Sequence, residues 1–147
     1  IKISRVWEHT TTGSSDITVG IIDGGVPISP NFSEHVDLLG RVSGDPWFAI
    51  EIPEPLQEFF MAQHGLSVAG IIASKGNNWR AIAGINWHVN IISENYQQDE
   101  TGHYYKVDGS LVRDLIPSYD RIVNENIQIL NLNLNPSINA VITTAKN

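Results

Sequence analysis

The chain has 147 residues, a formal net charge of −7, 41% apolar and 17% charged side chains, and no cysteine. That length and balance belong to one folded globular domain, and the acidic surplus argues against nucleic acid or an anionic membrane as partner, since both select a basic face. Without cysteine there are no disulfides, zinc–thiolate sites or thiol catalysis, and no apolar run approaches the roughly 20 residues of a membrane span.

Residues 17–22, Ile-Thr-Val-Gly-Ile-Ile, form a β-rich apolar run closed by Asp23-Gly24-Gly25. This predicts a buried strand ending in a carboxylate. Residues 27–60 hold five of the seven prolines, at Pro27, Pro30, Pro46, Pro53 and Pro55, which predicts long irregular connections. His64 opens the next segment, Gly65 to Ser74, in which Val68, Ile71 and Ile72 fall at helical spacing. Ala69, Gly70 and Ala73 leave room for close approach to a sheet. The pattern predicts a helix over 65–74 with His64 at its start, facing a cleft.

A Gly/Asn turn at 76–78 precedes a second strand, Val89 to Ser93. Leu111, Leu115, Ile116, Tyr119, Ile122 and Val123 give a helical stripe containing Pro117. Proline inside a helix predicts a kink there, or a helix that begins near 117. Ile127 to Asn133 reads as a third strand and Ser137 to Asn147 as the start of another helix. Strands alternating with helices predict an α/β protein with a mainly parallel sheet, its ligands at the carboxyl ends of the strands. No repeat or linker divides residues 1–147.

Asp23 ends a strand at such a carboxyl end. Alone, Asp-Gly is ordinary turn chemistry, and a histidine at a helix start makes ordinary hydrogen bonds. Together, each beside glycine at the edge of an element, they have the composition of a base and its orienter. The carboxylate would accept the imidazole Nδ1–H and leave Nε2 to take a proton. His9, His35, His88 and His103 show no metal-ligand spacing, so no metal centre is expected. The four tryptophans are scattered, as supports of the core or of cleft walls. Glu51, Glu54 and Glu58 read as solvated surface. Gly24-Gly25 follows Asp23 without a G-x-G-x-x-G or P-loop pattern, which argues against a nucleotide-binding domain.

Six segments in order resemble the N-terminal half of a subtilisin-like serine protease, a subtilase. Ile17 to Val26 is similar to the family's aspartate strand, and Val6-Trp7 with Gly13 to its lead-in. His35-Val-Asp-Leu-Leu-Gly-Arg-Val42 is similar to its His-Pro-Asp-Leu turn. His64-Gly-Leu-Ser-Val-Ala-Gly resembles its histidine helix, His-Gly-Thr-His-Val-Ala-Gly. Asn77-Asn78, Ala83 to Trp87 and Val89 to Ile91 resemble the next turn and strand. Ile129-Leu-Asn-Leu-Asn-Leu-Asn135 is similar to Val-Ile-Asn-Met-Ser-Leu-Gly.

The resemblance implies part of a doubly wound, mainly parallel sheet flanked by helices. It implies a serine endopeptidase in which Asp23 and His64 are catalytic, and Asn133, Leu134 and Asn135 bind substrate backbone and line the pocket for the residue before the cleaved bond. Asn135 stands where the family has glycine, which would narrow that pocket. Leu66 and Ser67 replace the family's Thr and His. Asp37 matches a position that binds calcium in some relatives; calcium as a structural ion is thus allowed, and no other cofactor is expected.

Ser67, Ser93, Ser110, Ser118 and Ser137 lack a nucleophile context such as Gly-Thr-Ser. The chain is therefore expected to be the N-terminal portion of one peptidase domain, inactive alone, with the serine on a missing C-terminal half. Its expected partners are that half and a peptide or protein substrate. An inactive fragment serving as a binding or regulatory module is the alternative. The opening on Ile1 rather than Met suggests that the true N-terminus was cut away, by processing or by design, and any signal peptide with it; the resemblance implies a secreted or extracytoplasmic protein.

Overall fold

The computed structural model describes residues 3–26, 37–44, 55–80, 82–98, 104–106, 111–112 and 124–133. In chain order these form α1 (Ile3–His9), β1 (Thr18–Asp23), β2 (Val42–Gly44), α2 (Pro55–Ala73), β3 (Asn90–Gln98), β4 (Tyr104–Lys106), β5 (Leu111–Val112) and β6 (Ile129–Leu132).

The β-branched run after Ile17 becomes β1, the middle of the sheet. It pairs in parallel with β3 on one side, from Thr18 opposite Asn90 to Asp23 opposite Asn95. On the other side it pairs in parallel with β6, from Val19 opposite Ile129 to Ile22 opposite Leu132. With β2 parallel to β3, four parallel strands run in the order β2-β3-β1-β6. Tyr96 to Gln98 of β3 continue past β2 and pair antiparallel with β4, which pairs antiparallel with β5. The fold is α/β with a mainly parallel sheet, as the alternation of patterns predicts.

Period-two alternation gives β1 two faces. Val19 and Ile21 face the core they share with Ala69, Ala73, Val89 and Ile91. The helix docks there by its small residues. Ala69 and Ala73 are fully buried, and a Cβ on Gly65 would overlap the carbonyl oxygen of Gly25. Gly65, Ala69 and Ala73 lie four residues apart, one above another on a single helix face. Ile71, expected on the buried stripe, is 56% exposed instead. Close approach was the stronger constraint, because a large side chain on the docking face would lift the helix off the strand.

The helix also begins earlier than its apolar spacing suggests, at Pro55 rather than near 65. Proline fits the first position of a helix, where its missing N–H is not needed and its φ is already helical. The Pro53/Pro55 punctuation thus marks a start, and 55–60 are not irregular. At the other end, backbone N–H groups of Gly84, Ile85 and Asn86 donate to the carbonyls of Ser74, Ile71 and Ile72. These bonds satisfy groups that a helix terminus leaves open.

Leu111 and Val112 pair with β4, so the helical stripe does not begin at 111. Residues 113–123, with Pro117, and the helix expected over 137–147 lie outside the described residues. Trp7 and Trp87 pack with ring centroids 4.9 Å apart. Trp7 Nε1 donates to the Ile85 carbonyl at 2.9 Å, which ties α1 to the segment after α2. Trp79, by contrast, is fully exposed. No helix among the described residues is long and apolar enough to cross a membrane.

Candidate active site

Asp23 is the last residue of β1 and 4% exposed, at the carboxyl end of the parallel strands. A carboxylate this buried loses its water shell and needs donors in return. The Gly24 N–H donates to Oδ1 at 2.6 Å. His64 Nδ1 lies 2.7 Å from Oδ1 and 3.0 Å from Oδ2. Asn133 Nδ2 donates to Oδ2 at 3.2 Å.

His64 reaches Asp23 from the middle of a helix. It is the tenth of the nineteen residues of α2, not a helix-start residue. The contact of Gly65 against Gly25 brings the helix backbone next to the turn that follows Asp23. Gly25 has φ 120°, a conformation open to glycine and costly for other residues. The two glycines of Asp-Gly-Gly and His-Gly thus set the spacing at which an aspartate and a histidine side chain can meet. The His64 side chain is 61% exposed and the Asp23 side chain 4%. An ionised carboxylate can only accept, so with Asp23 in that form the hydrogen between them would be on Nδ1. In a neutral imidazole of that tautomer, Nε2 would be the ring nitrogen with a free lone pair.

The register explains the third partner. Ile22 pairs with Leu132, so Asp23 and Asn133 follow at the same level on adjacent parallel strands and share a face. The Asn133 N–H also lies 3.4 Å from the Ile22 carbonyl. On the other flank Asn95 pairs with Asp23 and is 2% exposed. Its Oδ1 accepts from Ser93 Oγ at 2.8 Å. Asn95, Asp23 and Asn133 form a polar row across β3, β1 and β6. The sequence reading placed Asn133 on a substrate strand and missed its side-chain bond to Asp23. The alternation Ile-Leu-Asn-Leu-Asn was the available signal, but only register converts it to a contact. Leu134 and Asn135 lie outside the described residues.

Asp37 lies apart from this cluster and is 1% exposed. Its Oδ1 accepts from Asn78 Nδ2 at 2.5 Å, while the Asn78 Oδ1 accepts from the Arg80 N–H. The Arg41 guanidinium donates to the carbonyls of Asp37 and, at 2.8 Å, Trp87. Burial lowers the pKa of Arg41 from its ordinary value and the charge of Asp37 raises it, with burial the larger effect. Calcium needs six to eight oxygen ligands. Here the Asn78 amide donates to Oδ1 of Asp37 and the Arg41 guanidinium to its carbonyl, and no metal-holding group of three acidic or histidine side chains occurs among the described residues. An open cavity of about 420 Å³ lies beside the turn that carries Asn78 and Trp79, and it includes neither Asp23 nor His64.

A carboxylate at a strand end, holding the Nδ1 edge of an exposed imidazole, is a geometry compatible with a base and its orienter. No curated protein and no solved structure matches the chain. The family model described as Subtilase family matches residues 14–146, a span that takes in the aspartate strand, the histidine helix and β6. The chain belongs to the subtilase family, and that membership points to a serine peptidase.

Proposed function

We propose that the protein is a serine endopeptidase in which Asp23 and His64 are two members of an Asp-His-Ser triad, the serine being supplied by a segment this chain does not include. The observation that supports this most directly is the pair of contacts from His64 Nδ1 to the two Asp23 oxygens, at 2.7 and 3.0 Å. Aspartate then histidine is also the chain order of subtilisin-type triads.

In this reading His64 Nε2 takes the proton of the serine hydroxyl as its oxygen attacks the peptide carbonyl carbon. The resulting imidazolium is stabilised by Asp23, which keeps its own charge. The tetrahedral intermediate then collapses, the C–N bond breaks, and His64 gives its proton to the leaving amine. Water hydrolyses the acyl-enzyme ester by the same route, with His64 again the base. The backbone of residues 133–135 would pair with the substrate, and a secreted or extracytoplasmic location suits such an enzyme.

A fluorophosphonate probe, which labels an activated serine, tests this reading. The chain alone should not label, and the chain together with the downstream segment of its gene should. His64→Ala should abolish that signal, since removing this residue type costs on the order of 10⁶ in kcat in subtilisin. A downstream Gly-Thr-Ser segment that fails to label would overturn the proposal in favour of a non-catalytic module.

A further inference from the structure

Asn133 stands where the family pattern has serine, and its side chain is directed at Asp23. We infer that Asn133 is a positioning residue for the Asp23–His64 pair, locking the carboxylate plane by bonding Oδ2 while Gly24 bonds Oδ1. This rests on the reading of the pair proposed above.

The torsion that turns an aspartate carboxylate is broad and roughly two-fold, so burial alone does not fix its plane. Here each oxygen has its own donor besides the histidine. Gly24 N–H holds Oδ1 at 2.6 Å, and Asn133 Nδ2 holds Oδ2 at 3.2 Å. A rotation of the carboxylate breaks both. His64 lies across the two oxygens with 61% of its side chain exposed, and among the described residues Asp23 is the hydrogen-bond partner that orients it. The direction of Nε2 is therefore inherited from the plane of Asp23. Asn133 is the one of these donors whose side chain can be changed without touching the carboxylate or the ring. Asn133 is itself exposed just past the end of β6, whereas the carboxylate it bonds is buried.

A residue that only bound substrate through its side chain would raise KM when removed. A positioning residue lowers kcat and leaves KM nearly unchanged. In the labelling-competent protein, Asn133→Leu should lower kcat by roughly tenfold to a hundredfold, the span of one lost hydrogen bond to a charged group. Asn133→Ser, which keeps a shorter donor, should recover part of that loss. Asn133→Asp, which sets a second carboxylate against Asp23, should fall below Asn133→Leu.

Proton NMR of the 147-residue chain gives a readout independent of turnover. The downfield Nδ1–H line of His64 should shift and exchange faster with water in Asn133→Leu, and return toward its original position in Asn133→Ser. Raised KM with unchanged kcat, or an Nδ1–H line identical in all variants, would overturn the inference. Equal losses in Asn133→Leu and Asn133→Ser would do the same. If His64→Ala retained full labelling, the catalytic reading of the pair would fail instead, and the two failures are separable.

Discussion

β1 and β6 are adjacent parallel strands, yet the chain treats them oppositely. Val19 to Asp23 of β1 are all buried, between β3 on one side and β6 on the other and beneath a helix that docks through glycine and alanine. β6 is the last strand of the sheet among the described residues; Ile129 is 55% exposed, and Leu130 to Leu132 are only half-buried. The carboxylate and the helix turn that carries the imidazole therefore belong to the tightly constrained centre. Asn133, which bonds that carboxylate, belongs to the edge. A site built this way has its base and orienter fixed by packing, while its outer wall depends on a strand with one described neighbour.

That contrast predicts a graded response to mutation. The largest stability effect should come at the centre, with Ile21→Ala. Ile21 is fully buried in the core that β1 shares with α2 and β3. Removing a buried isoleucine to alanine costs about 2–5 kcal/mol through lost burial and the cavity left behind. A urea-unfolding midpoint would measure it, and a loss below about 1 kcal/mol would mean that β1 is not the rigid centre described.

Gly65→Ala comes next and tests the helix contact. Alanine gains about 1 kcal/mol over glycine in a helix interior. Against that, its Cβ would overlap the Gly25 carbonyl oxygen, and overpacking of backbone costs about 1–3 kcal/mol. The overlap should win, giving net destabilisation and a lengthened His64–Asp23 bond, visible as loss of the Nδ1–H resonance. A more stable variant with that resonance intact would show that α2 can move away without cost to the pair.

How much of this was readable in advance follows from distance along the chain. β1 and its terminal aspartate were legible because a β-branched run and Asp-Gly-Gly are local signals. The histidine and its glycine were legible for the same reason. The true start of α2 was not, because Pro55 signals a loop and a helix start alike and only the following turns decide. Leu111 fits a helical stripe by spacing, but pairing with β4 puts it in a strand with Val112, and runs that short do not distinguish the two. The bond from Asn133 to Asp23 spans 110 residues. Nothing at either position announces it; it exists because parallel register puts the two side chains on one face.

The smallest effect should come from Ile129, the apolar residue that opens β6. It shares the Asp23 face, two rows behind Asn133, and more than half of its surface already meets solvent. Ile129→Thr keeps the branched Cβ that suits a strand, and so should preserve the register that brings Asn133 to Asp23. Since little burial is lost, the change in stability should stay within about 0.5 kcal/mol, the range of ordinary surface substitutions. The same mutation makes the outer strand less apolar, and exposed apolar edges promote pairing between chains. Light scattering should therefore show less self-association in Ile129→Thr than in the parent chain. A loss of stability as large as that of Ile21→Ala would instead place Ile129 under cover, and β6 would then be as much a core strand as β1.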